Sequence, residues 1–294
     1  MAAAAGTDYS PSVTVSNEEQ ALINKLMALL QVTEQWIERT YPTAQPGSAF
    51  AGDDAKIHPY EVSHQASQSM GVAVDHLHSM RMALTGTGDN VLRIHTYAPL
   101  SLTRVALENA ALALWLSSPA QRPERILRRL RLEMANLKAV KSFFGRPNPQ
   151  QDAEIQRRKD RVNELAFQAG VVTNAVLAAN PTASEEDIKA ATRTALTNKP
   201  TATEIVQDAG QIAQLIDGDN NLALMLWRVC SAVAHGDRWV LTAFDIEVIG
   251  PSTPGVSDVR ITAPTDLLVA GVQVALAMYG AAYRVYDQRV TSHR

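Results

Sequence analysis

The stretch Leu267-Leu268-Val269-Ala270-Gly271-Val272-Gln273-Val274-Ala275-Leu276-Ala277-Met278-Tyr279-Gly280-Ala281-Ala282-Tyr283 decides the fold, because only Gln273 interrupts its apolar run. Such a run either crosses a membrane or fills the core of a helical protein. A span needs about 20 apolar residues. This run is short of that, is rich in Ala and Gly instead of Leu, and is flanked by Asp266 and Arg284. It therefore predicts a buried core helix over 264–289 and no membrane partner.

Working outward, the composition agrees. Of 294 residues, 46% are hydrophobic, 5% aromatic and 19% charged. That is too apolar for disorder and suits Ala-, Leu- and Val-rich helix packing. The single cysteine, Cys230, leaves no intramolecular disulfide and no Cys-based zinc site, as in a reducing cytoplasm. The N-terminus has no basic start and no apolar run of the secretory kind. A cytoplasmic protein is expected.

Residues 1–15 read as a flexible leader, and 16–294 as one helical domain. Ser16-Asn17-Glu18-Glu19 is a capping box that opens a helix over 16–40. A loop with Pro42, Pro46, Gly47 and Gly52 follows over 41–54, then a helix over 59–84 ended by the glycines at 86 and 88. Further helices are predicted over 100–117, 124–144 (stopped by Gly145 and Pro147) and 150–179. Shorter ones open at Ser184 and cover 203–216, and an apolar helix spans 220–235, with Gly236 at its C-terminal stop. Trp239–Phe244, Glu247–Ile249 and Val259–Ile261 favour strands, and Gly250 to Gly255 would connect them. The expected fold is all-α, a single helical bundle with a small β-hairpin insert over 239–263, before the last helix.

The net charge of −3 conceals an uneven distribution. Residues 122–161 carry 12 basic and 5 acidic side chains, a local +7, against −10 elsewhere. Such a helical hairpin would attract RNA or a nucleotide through phosphates. The competing reading is a pair of solvated helix faces with intrahelical pairs such as Arg129–Glu133. Interleaved aromatics for base stacking are missing apart from Phe143 and Phe144.

The sharpest local pattern is Trp227-Arg228-Val229-Cys230-Ser231-Ala232-Val233-Ala234-His235-Gly236. Arg228, Ser231 and His235 are spaced i, i+3, i+7 and share a helix face. A cation, a hydroxyl and an imidazole together can grip an anion or move protons, which makes these three the candidate catalytic residues. His235 falls at the helix C-terminus, whose partial negative charge complements an imidazolium. Arg104 and Glu108, one turn apart in an otherwise apolar segment that reaches Trp115, form a second polar group. If the two helices meet, Arg104, Glu108, Arg228, Ser231 and His235 make one buried cluster, either a site or a structural ion-pair network. Asp75, Trp115 and Trp239 complete the candidate binding residues.

Other chemistry has less support. Glu61-Val62-Ser63-His64 has the Glu-x-x-His spacing of di-iron bundles, but a second copy is absent, so no metal is assigned. There is no Gly-x-x-x-x-Gly-Lys loop, Gly-x-Gly-x-x-Gly or Gly-x-Ser-x-Gly motif, and no cofactor is implied. Asp217-Gly218-Asp219-Asn220-Asn221 lacks the glycine and distal glutamate of a calcium loop and reads as a turn and helix cap.

Arg104-x-x-Leu107-Glu108, Trp115, Pro200-Thr201-Ala202-Thr203-Glu204 and Ser231-x-x-x-His235-Gly236 together resemble a family of uncharacterised actinobacterial helical proteins over residues 60–290. More distantly, Arg228 to His235 is similar to the Arg-x(4–6)-His signature of HEPN domains. That resemblance implies a homodimeric helical bundle that cleaves RNA without metal through the 2′-hydroxyl. Arg228 would stabilise phosphate charge and His235 would act in acid/base chemistry. The sequence departs from the nuclease pattern at Val229, where Asn, Asp or His usually follows the Arg. Three functions follow as expectations: an RNA- or nucleotide-directed protein of toxin or phage-defence type, a small-molecule binder or non-nuclease enzyme with an Arg/Glu/His pocket, or a non-catalytic interaction module.

Overall fold

A computed structural model describes residues 16–85, 94–144, 148–250 and 258–292. The expected leader, the glycine turn at 86–89, the stop at Gly145 and Pro147, Arg146 and most of the 250–255 loop lie outside these residues. The described chain is predominantly α-helical, as expected. Its helices are α1 (Asn17–Gln31), α2 (Thr33–Trp36), α3 (Ala49–Ile57), α4 (Val62–Thr85), α5 (Ala98–Ser117), α6 (Arg122–Phe144), α7 (Pro149–Gln168), α8 (Thr173–Ala179), α9 (Glu185–Thr197), α10 (Ala202–Ile212), α11 (Leu222–His235) and α12 (Thr265–Val290).

Helix α5 is the hub. It packs most extensively on α4 and α12, then on α11 and α10. A helix surrounded in this way must be apolar almost all round, and Leu100, Leu107, Ala110, Ala111, Leu114 and Leu116 are all fully buried. Burial of each large aliphatic side chain contributes about 1.5–3 kcal/mol. The deciding stretch of the sequence is indeed a core helix: 61% of the most apolar window of α12 is buried inside the protein. Gly271 lets α12 approach α5 closely, because a Cβ there would lie 3.0 Å from the Thr103 methyl group and push it aside. On its other side α12 holds an aromatic cluster. Tyr279 stacks on Trp36 with ring centroids 4.6 Å apart, and its hydroxyl lies 3.1 Å from that of Tyr41.

The C-terminus of α5 shows how the arginines are used. A helix end leaves carbonyls without partners. Arg289 of α12 donates to the carbonyls of Ser117, Ser118 and Pro119, and Arg125 of α6 to those of Pro119 and Ala120. Arg125 also forms a two-point ion pair with the fully buried Asp53 of α3.

Several expected elements differ. The first helix is interrupted at Val32, where the Thr33 hydroxyl donates to the Leu30 carbonyl at 2.6 Å and competes with the helical pattern. The 41–54 loop contains most of α3, capped by Ser48; burial of Phe50 and Ile57 outweighs the poor helix propensity of Gly52. Helix α4 starts at Val62 instead of residue 59, because Asp54 accepts hydrogen bonds from the Val62 and Ser63 amides and fixes the first turn there. The predicted 150–179 helix divides into α7 and α8 at Gly170, whose φ is +68°.

The expected hairpin lies before α12, but it is shorter. Arg238–Ala243 forms a 3₁₀ turn, not a strand, because it buries Val240, and Phe244 just beyond it turns inward. The strands are β3 (Asp245–Val248) and β4 (Val259–Thr262), antiparallel with Ile246 opposite Ile261 and Val248 opposite Val259. A second, very small hairpin pairs β1 (Ile216–Asp217) with β2 (Asn220–Asn221). Asn221 then caps α11, as expected of a turn and cap.

Candidate functional site

Helices α5 and α11 do meet. Buried Ala223, Leu224, Trp227 and Cys230 give α11 its inward stripe. Trp227 donates its indole N–H to Glu108 at 3.2 Å. Arg104 lies 3.7 Å from the same carboxylate, and its guanidinium sits 5.9 Å from the centre of the Trp227 ring. The Arg104 Nε is buried without a hydrogen-bond partner. Arg104, Glu108 and Trp227 therefore form a half-buried, largely self-satisfied seam. Next to it, burial pushes the Cys230 thiol up to about 12, while Arg104 opposes the shift.

The structure divides the single buried cluster expected from sequence. Arg228 and His235 are exposed and Ser231 is half-buried, with no hydrogen bond or ion pair to any of the three side chains among the described residues. The reason is rotation about the helix axis: the Trp227 stripe, not Arg228, faces α5. Arg228, Ser231 and His235 still share one face, because α11 is helical throughout and ends at Gly236 in the left-handed region (φ +71°). The helical rise places Arg228 and His235 about 10 Å apart along the axis.

His235 lines an open groove of about 590 Å³ with Tyr97, Ser101, Val233, Asp237, Arg238 and Leu241. Tyr97 is 46% exposed, and its ring lies 5.9 Å from that of Phe244. Trp239, in the 3₁₀ turn beside the groove, is 52% exposed. This surface thus presents the exposed Tyr97 ring beside His235 and Arg238, with Trp239 in the adjoining turn. Of these, the sequence had singled out Trp239 but not Tyr97, which precedes the helix that carries Arg104.

The remaining predicted residues fall elsewhere. Trp115 is buried, with the Arg128 guanidinium 4.5 Å above its ring and bonded to its carbonyl. Asp75 is exposed on α4 and does not reach α5 or α11 as a pocket residue. Glu61 accepts from His58 and lies 3.5 Å from His64, so the Glu-x-x-His pair is surface-exposed on its histidine side. Among the described residues, no group of three or more His, Cys, Asp or Glu side chains is placed to hold a metal ion.

The basic hairpin corresponds to α6 and α7. Eight of its eleven described cations have structural partners. Arg122 and Arg125 bind Asp53, Arg129 and Arg158 bind Glu133, and Lys141 binds Asp152. Arg128 pairs with Glu124 and Arg157 with Glu154. Arg131 donates to the Ala195 carbonyl at 2.7 Å. The intrahelical Arg129–Glu133 pair is present, and burial of Arg129 pushes its pKa down against the pull of Glu133. Most of the hairpin's cations therefore have structural partners, but Asp53 is the only partner acid from outside the hairpin, so most of the local +7 is not neutralised by these pairs.

Comparison with protein-family models, with curated proteins and with solved structures gives no match to this chain.

Proposed function

We propose that this protein binds RNA or a nucleotide on the exposed face of α11, in the manner of a HEPN-like helical protein. The observation that carries this reading is that His235 shares a groove with Arg238 and the exposed ring of Tyr97, with Trp239 exposed in the adjoining turn, while Arg228 and Ser231 continue the same face of α11 without hydrogen-bond or ion-pair partners among the described residues. Unpaired cations next to exposed aromatic faces are the combination that single-stranded nucleic acids need, because phosphates take the charge and bases take the rings. In the ribonuclease form of this reading, Arg228 neutralises phosphate charge and His235 handles the proton of the 2′-hydroxyl. No metal takes part. A homodimer would supply the second Arg/His set, and the apolar hairpin face of Ile246 and Val248, 50% and 64% exposed, is available to it.

Total RNA incubated with the wild-type protein, His235→Ala and Arg228→Ala tests the reading. Cleavage by the wild type that is lost in both variants supports it. Equal behaviour of all three ends the ribonuclease form. The Arg104–Glu108–Trp227 seam favours a second, lesser role: it fixes the register of α5 against α11, as in a helical interaction module, without offering a ligand cavity.

A further inference from the structure

We propose that the groove between α6, α7 and the C-terminal end of α9 binds a nucleoside triphosphate, separately from the α11 face. Arg131 and Lys138 of α6, Lys159 of α7 and Lys199 beyond α9 line one groove of about 380 Å³, and among the described residues no carboxylate lines it. That volume lies within the roughly 300–1,000 Å³ of small-molecule sites. Lys138, Lys159 and Lys199 make no hydrogen bond or ion pair with their side chains among the described residues. This sets them apart from the eight engaged cations of the hairpin.

Capping of α9 does not account for the cluster. A helix C-terminus attracts positive charge, and Arg131 already meets that need through its bond to the Ala195 carbonyl. Arg131 and Lys199 also line an adjoining groove with Glu124, Glu204 and Asp208, so the uncompensated charge is that of Lys138 and Lys159, which repel each other unless an anion lies between them. The groove wall is formed by Met134, Ala135 and Leu196. An amphipathic ligand matches this division, with its phosphates on the cations and its base against the aliphatic wall. An RNA strand matches it less well, because no aromatic ring lines the groove for base stacking.

Isothermal titration of the full-length protein with ATP and GTP, tripolyphosphate, adenosine and a single-stranded RNA 10-mer tests the proposal. The wild type is expected to bind a nucleoside triphosphate saturably, more tightly than tripolyphosphate, and not to bind adenosine. Lys138→Gln, Lys159→Gln and Lys199→Gln should each weaken binding roughly tenfold, as loss of one charge-assisted contact does, with unchanged melting in the absence of ligand. RNA cleavage by the wild type should persist in Lys138→Gln, Lys159→Gln and Lys199→Gln, so failure here is distinct from failure of the α11 reading. Absence of nucleotide binding, retention of full affinity in the lysine variants, or a preference for tripolyphosphate would each overturn the proposal. So would RNA binding that is lost in the lysine variants while nucleotides do not bind.

Discussion

Asp53 and Arg125 form a two-point ion pair sealed from solvent, with Nε donating to Oδ2 at 2.6 Å and Nη2 donating to Oδ1 at 3.0 Å. Arg122 adds a third donor to the same carboxylate at 3.1 Å. The remaining donors of Arg125 hold the carbonyls past the end of α5, so this pair joins α3, α6 and the hub helix. Removing one partner of a buried pair strands the other charge and costs about 3–5 kcal/mol. Asp53→Ala should therefore lower the unfolding free energy by about that amount in urea titration. A loss below about 1 kcal/mol would mean that the pair is not sealed.

The α5–α11 seam makes a smaller demand. Glu108→Ala removes the carboxylate that accepts from the Trp227 indole and faces Arg104, and a loss of about 1.5–3 kcal/mol is expected for a hydrogen bond to a charged group. Arg228→Ala, on the exposed face, should stay within about 0.5 kcal/mol of wild type. Because the two side chains share no contact, the double variant Glu108→Ala/Arg228→Ala should lose the sum of the single losses. Coupling above that level would place Arg228 in the seam.

Cys230 is buried, and its thiol is pushed up to about 12 by burial. The thiolate is the reactive form. A disulfide reagent at pH 8 should therefore leave Cys230 unmodified in the folded protein and react fully in denaturant. Rapid native-state labelling would contradict its placement.

The two helices joined by the connection that carries Lys199 each open on a capping box. Ser184 and Asp187 close the start of α9, and Thr201 and Glu204 close the start of α10. Ser184→Ala and Thr201→Ala should each cost about 1 kcal/mol in chemical denaturation. Thr201→Ala should also weaken nucleotide binding, because it loosens the turn that positions Lys199; Ser184→Ala should not.

Much of this architecture can be read from single residues. Gly236 stops α11, Ser16 opens α1, and the run from Leu267 to Tyr283 fills the core, each through local chemistry that a sequence displays. The hairpin was legible for the same reason, since Glu247–Ile249 and Val259–Ile261 carry strand-favouring side chains. The 3₁₀ turn was not, because Trp239 to Phe244 carries strand-forming side chains whose conformation is set by burial of Val240. The site was half legible. Spacing put Arg228, Ser231 and His235 on one face, but a polar triplet has the same period whether it points inward or outward. Only the packing of Trp227 on Glu108 settles that it points outward. The lysine groove was out of reach, because Lys199 is far in sequence from Lys138 and Lys159 and joins them only when α9 folds onto α6 and α7.

Fluorescence anisotropy of a labelled single-stranded RNA, titrated with wild type, Arg228→Ala, Trp239→Ala and Lys159→Gln, tests the central claim most directly. Binding that weakens roughly tenfold or more in Arg228→Ala and in Trp239→Ala, with Lys159→Gln unchanged, is the predicted result, since stacking and phosphate contacts each supply about that much. RNA affinity that is the same in wild type, Arg228→Ala and Trp239→Ala would contradict it.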